Sequence, residues 1–190
     1  MKNLFLLLSL LTISFANAQQ DCDYSFNQKT EEGIEVKGTK EYMMYEKIFG
    51  GNSQYIFFSL TNNGGTPLLN FKILSKSTGF PELYCFDNTS KIYIQLTNGK
   101  IITLISATQQ QCATLVYNPD DKKNMRVLSG TFLFTKGSLE ELEKSSITYI
   151  RVRYTTDTVD YPIRNEIESE TIKEKYFPNK YFINYLNCIK

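Results

Sequence analysis

The run Lys91–Ser106, KIYIQLTNGKIITLIS, constrains this chain more than any other stretch. Two β-rich segments flank Asn98-Gly99, a dipeptide suited to the two positive-φ positions of a type I′ hairpin turn. With those two residues as the loop, Leu96 pairs with Ile101, Ile94 with Thr103 and Ile92 with Ile105 on one face. Tyr93 with Leu104, and Gln95 with Ile102, meet on the other. Both faces are largely apolar, which predicts a hairpin inside a sheet rather than at a solvated edge. Cys85 and Cys112 lie equally far from the loop, so the same register points them at each other. Asn88-Thr89-Ser90 is placed to break the ladder, so that the bridge forms just beyond it.

The chain opens with a basic start, an apolar run Leu4–Phe15 and the small-x-small site Ala16-Asn17-Ala18. That pattern reads as a secretory signal peptide over residues 1–18, with Gln19 as the first mature residue. No cysteine follows the cleavage point directly, which disfavours a lipid anchor, and no later segment approaches the length of an apolar membrane span. Residues 19–190 then form a single domain, expected to be secreted or periplasmic. The leader takes one lysine with it, which leaves the remainder formally neutral. Such a balance points away from nucleic acid and anionic membranes as partners. All four cysteines meet an oxidising compartment, and four cysteines allow three pairings. The hairpin selects Cys85–Cys112, which leaves Cys22–Cys188 to tie the ends together.

Between residues 40 and 135 the pattern is of short strands separated by Gly/Asn turns. Asp21–Gly38 is polar and reads as a loosely structured lead-in. Glu41–Phe49 and Gln54–Thr61 form a hairpin with a longer loop at Gly50–Ser53; Asn62–Pro67 is a turn. Leu68–Leu74, Phe80–Phe86, Cys112–Tyr117 and Met125–Phe134 are further strands, the last with a bulge at Gly130. Ser138 and Glu141 fit a capping box, which predicts a short helix over Ser138–Lys144 burying Leu139 and Leu142. Ile147–Thr155 alternates cleanly, sending Ile150, Val152 and Tyr154 one way and Tyr149, Arg151 and Arg153 the other. Val159–Ile163 is a short extended segment. Arg164–Lys190 reads as two helical pieces divided at Pro178, whose ring and missing amide interrupt a helix. About ten strands with these connections predict a mainly β fold: an antiparallel β-sandwich or open barrel with a short connecting helix and a C-terminal helical segment.

Chemistry is sparse. The chain has no histidine, which excludes Ser-His-Asp and Cys-His sites and removes the commonest zinc ligand. Gly50-Gly51 and Gly64-Gly65 lack the strand–loop–helix setting and lysine of a phosphate loop. Paired carboxylates for glycoside cleavage have candidates in Glu46, Glu82, Asp87, Asp157 and Asp160, but spacing alone pairs none of them. Asp157 with Asp160, or Asp120 with Asp121, lacks the spacing of an EF-hand loop. Asn88-Thr89-Ser90 is an N-glycosylation tripeptide. Neither a metal nor a cofactor is expected.

The outer strip Tyr149, Arg151 and Arg153 sets aromatic area beside two guanidinium forks, a surface suited to a carboxylate or acidic sugar. The plainer reading is that each arginine pairs with an acid on a neighbouring strand. These motifs favour an exported, non-enzymatic binding or interaction module for a protein or glycan ligand. The alternative is a histidine-free polysaccharide hydrolase or lyase using paired carboxylates or Tyr/Arg chemistry. A third reading is a structural or inhibitory protein that pairs through an exposed strand edge.

Overall fold

In the computed structural model, residues 22–190 are described; the expected signal peptide over residues 1–18, its expected cleavage site and Gln19 lie outside them. The chain runs β1 (Tyr24–Lys29), β2 (Glu35–Thr39), β3 (Tyr42–Phe49), β4 (Asn52–Asn63), β5 (Thr66–Ser77), β6 (Cys85–Phe86), β7 (Lys91–Leu96) and β8 (Ile101–Ser106). It continues through β9 (Gln111–Cys112), β10 (Thr114–Asn118) and β11 (Lys123–Phe134) to a helix at Ser138–Leu142. After this come β12 (Ile147–Arg153), β13 (Thr158–Pro162), β14 (Ile167–Glu168) and β15 (Lys175–Tyr176). A 3-10 turn at Pro178–Lys180, a helix at Tyr181–Tyr185 and a second 3-10 turn at Leu186–Ile189 finish it. The fold is mainly antiparallel β with a short C-terminal helical segment, as the turn pattern predicts.

One large sheet has the order β1-β2-β4-β5-β11-β8-β7-β12-β13, with β3 continuing beside β4 and β10 beside β11. It curls around the C-terminal segment. Phe58 on β4 packs against Tyr181 and Phe182, and Phe134 on β11 packs against Phe182. Tyr45 on β3 meets Tyr161 on β13, ring centroids 5.2 Å apart, so the far strands approach each other as in an open barrel. The main core takes the inner faces of β4, β5, β7, β8, β11 and β12 together with Leu142, Tyr181, Phe182, Leu186 and Ile189. Such burial drives the fold, each fully buried aliphatic or aromatic side chain contributing roughly 1.5–3 kcal/mol.

Both predicted disulfides are present. Cys22–Cys188 has its Cα atoms 5.6 Å apart and Cys85–Cys112 has them 4.0 Å apart. The hairpin that predicted the second is central, between β11 and β12, but its register is shifted by one residue. Ile92 faces Leu104 and Ile94 faces Ile102. Leu96 bonds across to Lys100, and Gly99 alone takes positive φ, at 82°, so the loop has three residues and a bulge instead of the two-residue turn. The shift has a physical cause: it sets Ile92, Ile94 and Leu96 on the same buried face as Ile102 and Leu104. Ile101 and Ile105 go to the exposed side. The cysteines still pair because the connection from Ile105 to Cys112 is one residue longer than that from Cys85 to Lys91, which offsets the shift: β6 joins β9 in a separate ladder, Cys85 opposite Cys112.

Other expectations change as well. The lead-in is a hairpin, β1–β2, and Phe26 lies over Gly38 where a Cβ would collide with its ring. Gly50-Gly51 is itself the two-residue loop, since Phe49 pairs with Asn52 and both glycines have positive φ. Phe80–Tyr84 is irregular, leaving only Cys85–Phe86 as strand. Gly130 makes no bulge, because β11 pairs with β5 in unbroken register. Ser138 caps nothing. It is the first residue of its helix, its hydroxyl donates to the Thr135 carbonyl at 2.5 Å, and Glu141 instead pairs with Lys100 at 2.8 Å. The first C-terminal piece is the hairpin β14–β15 and not a helix; Ile167 and Tyr176 are buried with Met43 and Tyr55 on the second side of the sheet. A packing demand outweighs the helical preference of that segment.

Candidate functional site

The inner face of the sheet is apolar over most of its length and turns polar at one end. Along β4 it carries Leu60, Phe58 and Ile56, then Gln54; along β5 it carries Leu69, Phe71 and Ile73, then Ser75. The register aligns these changes, with Lys47 opposite Gln54, Gln54 opposite Ser75 and Ser75 opposite Arg126. Because alternate residues share a face, four polar side chains gather where the core stops. The irregular segment Phe80–Tyr84 folds over them. Arg126 holds it there, donating from Nε to the Pro81 carbonyl at 2.9 Å and from a terminal nitrogen to the Ala113 carbonyl at 3.2 Å. Asn124 donates to the Gly79 carbonyl at 2.9 Å. Together with β13 these elements enclose a cleft of about 490 Å³, within the size range of small-ligand sites.

Tyrosines form its apolar wall. Tyr84 lies against Tyr154 with ring centroids 4.3 Å apart, and its hydroxyl donates to Glu82 at 2.5 Å. The hydroxyls of Tyr154 and Tyr161 are 2.9 Å apart, and Tyr161 meets Tyr45 edge to face. Burial pushes the phenols of Tyr84, Tyr154 and Tyr161 up, and Glu82 adds to the rise at Tyr84. Tyr45 is raised by burial as well, against an opposing pull from Arg164. These groups stay neutral around pH 7, which suits apolar contact and hydrogen bonding rather than proton abstraction. At the rim Phe49 and Phe80 are 79% and 77% exposed. Two aromatic rings left in water beside a polar cleft are the unusual feature of this surface. Lys76 pairs with Asp121 at 3.0 Å, whereas Lys47 has no ion-pair partner among the described residues.

The predicted strip is elsewhere. Tyr149, Arg151 and Arg153 share the outer face of β12, while Ile150, Val152 and Tyr154 are buried on the inner face. Arg151 is bidentate to Asp160 on β13, at 2.6 and 2.9 Å, and the two residues are direct cross-strand neighbours. That guanidinium, with Tyr149 beside it, holds the Asp160 carboxyl down to about 2. Arg153 faces Lys91 and Thr158 across its ladders and makes no ion pair among the described residues. The acids scatter. Glu46 accepts from Ser169 and the Glu170 amide, Asp87 organises its own turn through Thr89 and Ser90, and Asp157 accepts from Thr156. Asp121 is bound to Lys76, and Asp120 lies in the exposed turn next to it. Among the described residues no three Cys, Asp or Glu side chains gather as a metal site. Glu82 and Asp160 both border the cleft.

Sequence reasoning missed Gln54, Phe49, Phe80, Tyr45, Tyr84 and Tyr161 as neighbours. One signal was available: Gln54 and Ser75 each interrupt an apolar alternation at the same end of adjacent strands. The aromatic rim carries no such mark, since Phe80 lies in a segment that reads as strand. Comparison of the chain with family models, with curated proteins and with solved structures finds no match.

Proposed function

We propose that this chain is an exported binding module whose ligand is a carbohydrate held in the cleft beneath Phe49 and Phe80. The observation that carries the reading is the pairing of two solvent-exposed phenylalanines with a concave polar floor. A sugar presents an apolar face of C–H groups and a rim of hydroxyls. Phe49 and Phe80 offer rings to the first. Lys47, Gln54, Asn52 and Ser75 offer donors and acceptors to the second. The two disulfides favour an oxidising compartment, and no helix among the described residues is long and apolar enough to cross a membrane.

Glu82 and Asp160 on one cleft favour, as a second reading, acid-assisted cleavage of the bound glycan. Against it, both oxygens of Asp160 are taken by Arg151, and Glu82 accepts the Tyr84 hydroxyl. A general acid of raised pKa is what such chemistry needs, and Asp160 is shifted the other way.

A glycan array probed with the folded, oxidised protein tests the proposal. Binding to a defined glycan class is expected, weakened about tenfold or more by Phe80→Ala and by Gln54→Ala with unchanged thermal stability. Binding that survives both substitutions places the ligand away from this cleft. Product release from a bound glycan, abolished by Glu82→Gln, would establish the second reading.

A further inference from the structure

The large sheet has four lateral edges among the described residues, and three are protected. β1 ends in Lys29 and begins beside the Lys40–Asp23 ion pair. β3 carries Glu46 and Lys47, and Glu46 is engaged by Ser169 and Glu170 of the segment between β14 and β15. β13 carries Asp160 and Pro162. Charges, proline and covering segments are the usual devices that stop an edge from pairing with another chain.

β10 has none of them. Its sequence is Thr114-Leu115-Val116-Tyr117-Asn118, without charge or proline. It pairs with β11 on one side only. Leu115, Val116 and Tyr117 are 40%, 47% and 57% exposed, so side chains on both faces of the strand meet solvent. The strand is also complementary to itself. In an antiparallel pair centred on Val116, Leu115 of one copy opposes Tyr117 of the other, Thr114 opposes Asn118, and the two Val116 residues meet on the axis. Beyond the strand ends, Pro119 faces Ala113 and Asp121 faces Gln111, so no like charges are opposed.

We propose that β10 is the contact strand of a two-fold symmetric homodimer, in which the sheets of two copies join edge to edge. Backbone groups on the free edge of β10 gain partners, and the Leu115–Tyr117 contacts withdraw apolar surface from water on one face. The interface is isologous, so it closes at two copies.

Sedimentation velocity on the oxidised protein over a wide concentration range tests this. The expected result is a species whose mass doubles as concentration rises. Val116→Lys sets two charges against each other on the axis and should hold the protein at monomer mass, with an unchanged far-UV circular dichroism spectrum. Independently, Val116→Cys should yield a covalent dimer on a non-reducing gel with both native bridges retained. A wild-type protein that stays monomeric throughout overturns the proposal. So does a dimer that survives Val116→Lys and fails to cross-link through Val116→Cys.

Discussion

Gly130 shows how a single residue is set by its neighbour rather than by backbone conformation. An added Cβ would lie 2.6 Å from Cδ2 of Phe86, 2.9 Å from its Cε2 and 3.2 Å from Oγ1 of Thr108. Neither neighbour has room to give. Phe86 is fully buried against Phe71, Phe132 and Tyr154, and the Thr108 hydroxyl accepts from the Thr131 amide at 2.7 Å. Gly130→Ala is therefore expected to destabilise the protein by about 1–3 kcal/mol through overpacking. Urea unfolding measures it, and a variant as stable as wild type would show that the ring can retreat. In the sequence the glycine marked an irregularity in β11. That a ring, rather than a bulge, requires it depends on Phe86, which reaches β11 only after the chain has folded.

At the scale of elements, the two disulfides stabilise through loops of very different length. Cys85 and Cys112 are 27 residues apart, while Cys22 and Cys188 are 166 apart. In the chain-entropy model these closures stabilise the fold by about 3–4 and about 5 kcal/mol respectively. Replacing both members of each pair with alanine should thus cost more for Cys22–Cys188, by roughly 1–2 kcal/mol. The β1–β2 hairpin and the last turn reinforce that long closure, since Tyr24 donates to the Cys188 carbonyl at 2.9 Å and Lys37 to the Lys190 carbonyl at 2.7 Å. Equal losses in denaturant midpoint for the two double variants would mean that loop length is not what matters here. The pairing itself was legible in outline, because Cys85 and Cys112 flank the Asn98-Gly99 turn at equal distance and elimination then leaves Cys22 with Cys188. The β14–β15 hairpin was not, since Ile167 and Tyr176 find Met43 and Tyr55 only through the tertiary fold.

For the whole molecule, buried phenols tie stability to pH on the alkaline side. Tyr154, Tyr161, Tyr84 and Tyr181 are all pushed up by burial, and burial pushes Tyr185 up to about 12. An unfolded tyrosine ionises near pH 10. The folded state holds on to its phenol protons, so their contribution to stability is complete below about pH 10 and is lost as the pH rises from there toward the folded values. Across about pH 10 to about pH 12 the urea midpoint should fall steadily. Replacing Tyr154 and Tyr161 together by phenylalanine removes both members of one hydroxyl pair. That double change should be nearly neutral at pH 7 yet flatten the alkaline fall. If the fall keeps its wild-type slope, these two phenols are not its source.

The sequence alone determined the class of the fold and the inner and outer faces of β12, because each rests on information local in the chain. It pointed to the two bridges through the even cysteine count and the position of the Asn98-Gly99 turn. Alternation assigns faces and Gly-rich dipeptides locate turns. The tertiary structure decided the rest. It chose the register of β7 on β8 by burying Ile102 and Leu104 with Ile92 and Ile94. It left the Tyr149–Arg151–Arg153 strip on the outer face with Arg151 bound to Asp160. It also made a cleft from Lys47, Gln54, Ser75, Phe80 and Tyr161, which lie on separate elements. No local pattern records such a meeting, because only the curl of the sheet brings β3 to β13.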